Sequence, residues 1–183
     1  RNHKDSLFID LFCKDKEGKQ NFISLYNALH NTNLDLATTT VQEVNIENVL
    51  YMALSNDIAM LVDNKLVVLV EHQSTINENM PLRLLEYVSR IYEQLVPSED
   101  RYEKKMIKIP YPEFFVFYNG TEDYPVETEL RLSDAFIFPD EKYNVKSSDL
   151  TIEIKVKIIN INSDKQSPIL KQCKKLEEYS LLI

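Results

Sequence analysis

The sequence has 183 residues and a net charge of −8, from 21 Lys and Arg against 29 Asp and Glu. That length makes one domain, and 44% hydrophobic with 27% charged residues is the balance of a chain that builds a core rather than a disordered one. Its 2 glycines, Gly18 and Gly120, exclude phosphate loops and dinucleotide fingerprints, which need several glycines within a few residues.

The acidic balance argues against a protein whose main work is to coat nucleic acid. It leaves room for an enzyme acting on nucleic acid, because such a site needs carboxylates to hold cations. The longest apolar runs, such as residues 66–70, are far short of the roughly 20 residues a membrane helix needs, so no membrane is expected. The first residues carry no secretory-signal pattern. Cys13 and Cys173 cannot make a disulfide framework, and with 3 histidines they show no zinc-ligand spacing. The expected setting is a reducing cytoplasm.

Taken in order, residues 3–12 place Leu7, Phe8, Leu11 and Phe12 at helical spacing, with Asp5 as N-cap. Residues 14–20 read as a charged turn containing Gly18. Residues 22–30 put Phe22, Leu25, Tyr26 and Leu29 on one helical face, and residues 31–40, rich in Asn and Thr, read as a loop. Residues 57–62 and 66–71 are two runs of strand length around Asp63-Asn64-Lys65, which predicts a hairpin. Both runs are apolar on both faces, so the strands should be covered above and below. Pro81 then opens a helix with an apolar stripe of Leu84, Leu85, Val88, Ile91, Tyr92 and Leu95, and Pro97 closes it. Residues 99–108 are a polar connection, and residues 114–118 a buried strand stopped by Asn119-Gly120. Residues 121–148 read mostly as loop, residues 151–159 as a half-exposed strand, and the chain from Pro168 as helix.

The informative side chains lie at the ends of the hairpin. With Asn64 as pivot, Asp57 falls directly opposite Glu71, and opposed residues share a face with Cα atoms roughly 4.5–5.5 Å apart. Gln73, two residues on, projects from the same face, whereas His72 projects from the other and offers only its backbone carbonyl. Two facing carboxylates repel and are costly to desolvate. A hard divalent cation such as Mg²⁺ offsets both costs, and can lower the pKa of a bound water and polarise a phosphoryl oxygen. The plainer alternative is a solvated Asp and Glu, or a pair with Lys or Arg. The register is also open: a two-residue turn would put the carboxylates on opposite faces.

Asn56-Asp57, the run from Leu69 through Glu71-His72-Gln73-Ser74-Thr75, the run from Asn79 to Tyr87, and Phe117-Tyr118-Asn119-Gly120 together resemble the recombination-promoting nuclease and putative transposase family (YhgA-like). That family is a branch of the PD-(D/E)XK nuclease superfamily. Lys4-Asp5-Ser6-Leu7-Phe8, Leu25-Tyr26-Asn27-Ala28-Leu29 and the run from Leu130 to Phe136 fit it too, so the resemblance covers nearly the whole chain. It implies an α/β fold, a mixed β-sheet flanked by helices with a restriction-endonuclease-like core, and cleavage of DNA dependent on Mg²⁺ or Mn²⁺. Asp57 matches the metal-binding aspartate and Glu71 the acid of the (D/E)XK motif, with the His72 carbonyl as a further ligand. Gln73 stands where the superfamily usually has Lys. A neutral amide can orient a water or a phosphate oxygen but supplies no positive charge. The superfamily often adds an acid from an early helix. Residues 22–30 contain none, and Glu47 is a weak substitute.

Arg83, near the start of the next helix, could meet a phosphate together with helix N-terminal amides, or could be an ordinary surface arginine paired with Glu86 or Glu78. Arg101, Lys104, Lys105 and Lys108 are interleaved with acids and read as a solvated linker. His72 reads as a sheet residue packed on a helix, and the two cysteines as small buried residues. Because Arg1 is not Met and the last helix ends at Ile183 without a cap, residues 1–183 are expected to be a single nuclease-like domain at the N-terminal part of a longer protein. The leading expectation is a metal-dependent endonuclease with DNA as partner, and a homodimer would suit double-strand cleavage. The alternative is a catalytically inactive module that keeps the fold and binds DNA or a protein.

Overall fold

The computed structural model describes the backbone of residues 3–44 and 57–183, and every side chain within them except those of residues 3–6, 71 and 72. Among these residues the strands are β1 (Val41–Glu43), β2 (Ile58–Val62), β3 (Lys65–Gln73), β4 (Tyr111–Tyr118), β5 (Glu127–Arg131) and β6 (Lys155–Asn160). They form one six-stranded sheet in the order β1-β2-β3-β4-β6-β5. The central strands β3, β4 and β6 run parallel, and β1, β2 and β5 add antiparallel edges. The mixed sheet flanked by helices is the architecture that the family resemblance implies.

Helices cover both faces, as the two-sided apolar runs of β2 and β3 require. On one face lie α1 (His3–Phe12), α2 (Asp15–His30), α4 (Pro168–Gln172) and α5 (Lys174–Ser180). Phe8, Phe22, Leu25 and Tyr179 pack there on Ile58, Met60, Leu69 and Phe117. The other face is covered by α3 (Met80–Leu95), whose Met80, Leu84, Tyr87, Val88 and Ile91 pack on Ala59, Val68, Val70, Val116 and Tyr118.

Several elements differ from expectation for identifiable reasons. Residues 15–20 are not a turn but the start of α2. The Asp15 carboxylate accepts the Glu17 and Gly18 N–H groups at 2.8 and 3.2 Å, which starts the helix with charged residues. Gly18 serves close packing, since a Cβ there would lie 3.0 Å from the Cys13 carbonyl carbon. Strand β5 lies inside the predicted loop. Its exposed Glu127, Glu129 and Arg131 hide it from an apolar pattern, as suits a charged edge strand. The final helix breaks at Cys173 into α4 and α5. Both cysteines are buried, and burial, helped by Glu43, pushes the Cys13 thiol up to about 12.

The near end of β3 is tied to α2 by a cluster of polar side chains. Glu113 of β4 meets His30 Nε2 at 2.6 Å and Lys65 Nζ at 3.1 Å, and Lys65 also donates to the Tyr26 hydroxyl at 2.9 Å. The His30 ring stacks on Tyr26 with centroids 3.9 Å apart. Lys65 is thereby held in the strand rather than in the turn before it.

Candidate functional site

The hairpin that carries the candidate acids turns through two residues, Asp63 and Asn64, with Val62 paired to Lys65 and Ile58 to Leu69. Asp63 takes a left-handed φ of 50°, which Asp tolerates, and its carboxylate accepts the Thr40 N–H at 2.9 Å. This is the shorter of the two possible turns. The expected pairing of Asp57 with Glu71 is therefore one residue out, and extending the observed register by one step puts Val70 across from Asp57. Asp57 itself precedes Ile58 and alternates with it, so it lies on the Ala59 face, the one covered by α3, where it is 8% exposed.

The register does not run on unchanged through the motif. Against β4, Val70 pairs with Val116 but Gln73 pairs with Tyr118, so Glu71 and His72 together face the single residue Phe117. That is a β-bulge, and it inserts one extra residue into the alternation. Val70 and Tyr118 both pack on the α3 face. Paired with Tyr118, the half-buried Gln73 shares that face with Asp57. Sequence reasoning puts Gln73 on this face by simple alternation, whereas here the bulge puts it there. The side chains of Glu71 and His72 lie outside the described residues, as do Glu47 and Asn56 entirely.

Two other elements wall the site. The first turn of α3 carries Arg83, half-buried, and contains no acidic residue; its N-cap Asn79 makes no side-chain cap. The positive helix end is thus left without an anionic side chain of its own. One turn further on, Tyr87 is fully buried, and its hydroxyl has no hydrogen-bond partner among the described residues. Burial pushes the Tyr87 phenol up, and the charge of Asp57 adds to the effect. Just after β4, Asn119 donates its N–H to the Gln73 carbonyl at 3.1 Å. Gly120 sits so close that a Cβ would collide with the Ser74 carbonyl and the Tyr118 ring, so the wall requires glycine. Arg101, Lys104, Lys105 and Lys108 are exposed in the connection after α3, at the end of that helix opposite Arg83.

A family model described as "Putative transposase, YhgA-like" matches residues 2–166. The chain belongs to that family. No curated protein and no solved structure matches it.

For this transposase-family chain the donors can be tested against a hard divalent cation, which takes carboxylate and carbonyl oxygens and keeps several waters. Asp57 offers a buried carboxylate, and a bulge leaves backbone groups outside the ladder where Glu71 and His72 stand. In kind these donors fit. Among the described residues no group of three or more His, Cys, Asp or Glu could hold an ion. No described helix is long and apolar enough to cross a membrane. Sequence reasoning does not single out the buried Tyr87 of this transposase-family chain. Leu84, Tyr87, Val88 and Ile91 follow the helical core spacing, and a tyrosine at such a position reads as packing.

Proposed function

We propose that the protein is a Mg²⁺-dependent DNA endonuclease of the transposase type, a single domain on a PD-(D/E)XK core. The observation that carries this reading is the bulge at Glu71 and His72, which brings Gln73 to the Asp57 face of the sheet in a chain of the transposase family. Asp57, Glu71 and the His72 backbone carbonyl would hold Mg²⁺ or Mn²⁺. Bound there, the ion supplies Lewis-acid polarisation of the phosphodiester and a lowered pKa for the attacking water. The Gln73 amide accepts a hydrogen bond from that water through its oxygen, or donates one to a phosphate oxygen, and so orients the attack without adding charge. Arg83 and the N-terminal end of α3 attract the scissile phosphate and fix its position.

Plasmid nicking tests the reading. The purified protein is expected to nick supercoiled DNA in Mg²⁺ or Mn²⁺, and Asp57→Ala or Glu71→Ala to abolish nicking. Equal nicking by the wild type and both variants would overturn it.

A non-catalytic DNA- or protein-binding module is the second reading. It is favoured by Gln73, which cannot supply the positive charge of the lysine it replaces. Calorimetric titration separates the two, because no Mn²⁺ uptake at millimolar concentration selects the module.

A further inference from the structure

The described α3 face of the sheet is mostly apolar, with Asn160 and Asp57 as buried polar side chains toward one end, and the charge of Asp57 acts on Tyr87. Phenylalanine would satisfy the packing around Tyr87, which lies among Met80, Leu84, Val88 and Tyr118. The hydroxyl is therefore the feature that needs a reason. It is buried, and no protein group among the described residues accepts or donates to it. A buried hydroxyl left so costs free energy, and structures meet that cost with ordered water held by two or more polar groups. Asp57, buried on the same face of the sheet, is a described ionisable group placed to complete such a site, and its charge acts on the phenol.

We propose that Tyr87 is a positioning residue, its O–H joined through one water to the Asp57 carboxylate so that the carboxylate keeps one orientation. The inference rests on reading Asp57 as a residue of the candidate site and adds to it a group that helps to steady it. Tyr87 is fully buried and so acts through Asp57, without touching DNA. A carboxylate whose second oxygen is held by an outer hydrogen bond presents the first to a cation in a fixed direction, and loss of such a support typically weakens metal binding about 10- to 100-fold.

The experiment uses the full chain and Tyr87→Phe, which removes one oxygen and keeps the ring. Thermal unfolding without metal is measured for the wild type, Tyr87→Phe, Asp57→Ala and the double variant. Tyr87→Phe is expected to lower the midpoint by about 2–6 °C in the wild type and to leave the Asp57→Ala midpoint unchanged. The same shift in both backgrounds, or none in either, would overturn the proposal, because packing alone predicts additivity. Calorimetry with Mn²⁺ supplies the second arm, with affinity expected to fall about 10- to 100-fold in Tyr87→Phe. Unchanged affinity would also overturn the inference. A wild type that takes up no Mn²⁺ would sink the nuclease reading instead, and the unfolding cycle would then decide the role of Tyr87 by itself.

Discussion

Glu113→Gln replaces a carboxylate that joins α2 to the central strands. In the structure its two oxygens stand 2.6 Å from His30 Nε2 and 3.1 Å from Lys65 Nζ, with the Glu113 side chain 19% exposed. An exposed pair contributes about 0–1 kcal/mol and breaking a fully buried one costs about 3–5 kcal/mol. Glu113 lies between these limits, and Lys65, 34% exposed, is partly screened, so a loss of about 2 kcal/mol is expected. For a chain of this size that is a fall of about 4–8 °C in Tm at neutral pH.

The pH dependence makes the expectation sharper. Burial alone would raise the Glu113 carboxyl, but hydrogen bonds from His30 and Lys65, with their charges, outweigh it and hold the group below its ordinary 4.5. Its folded pKa is depressed, so its stabilisation is complete above the ordinary value and is lost as pH falls through the folded one. Lys65 shows the opposite sign. Burial pulls its amine down, yet the bonds to Tyr26 and Glu113 raise it above 10.5, so its share persists until the solution is strongly alkaline. The difference in Tm between wild type and Glu113→Gln should therefore be largest from about pH 6 to pH 9 and should shrink steadily in acid. Calorimetric scans at intervals of one pH unit measure it. A variant within 1 °C of the wild type at pH 7, or a gap that stays constant down to about pH 3, would refute the reasoning.

Gly120→Ala should cost about 1–3 kcal/mol and reduce nicking, because the added Cβ meets the Ser74 carbonyl, which belongs to backbone and cannot swing away; unfolding in urea and a nicking assay check both parts. Asp63→Ala should destabilise by about 1–2 kcal/mol through lost turn geometry and the lost bond to Thr40, and Asp63→Gly should cost less because glycine accepts the left-handed φ; the order of the two midpoints is the readout. Gln73→Ala should lower the nicking rate by about 100-fold while leaving Tm within a few degrees, the pattern of a lost orienting group in a folded protein. Arg83→Ala should weaken DNA binding and flatten its salt dependence by about one phosphate contact, measured by fluorescence anisotropy over a range of salt.

The sequence made the layers of the fold legible because their signals are local. The apolar runs of β2 and β3 demanded cover on both faces, and Pro81 with the stripe after it marked α3. What it hid are features decided by polar backbone chemistry. Strand β5 is held by pairing with β6, including Lys157 to Glu127 at 3.0 Å, and no apolar period announces it. The start of α2 depends on one carboxylate capping two N–H groups within a charged stretch. In the candidate site, Asp57 and Gln73 could be singled out as residue types, but the Tyr87 hydroxyl, buried without a partner among the described residues, is a feature that no sequence pattern reports.

The position of Gln73 shows how a register argument can reach the right face by the wrong route. A hairpin pivoting on Asn64 and a regular β3 would set Asp57 and Gln73 on one face. The actual turn is shorter, because Asp63 adopts a left-handed conformation and Lys65 is drawn into the strand by Tyr26 and Glu113. Alone, that one-residue slip would send Gln73 to the opposite face. The bulge at Glu71 and His72 supplies the residue that the turn removed, and Gln73 returns to the α3 face beside Tyr118. Turn and bulge are thus coupled features of the same strand: changing the length of either by one residue separates Gln73 from Asp57, whereas changing both together restores the face they share.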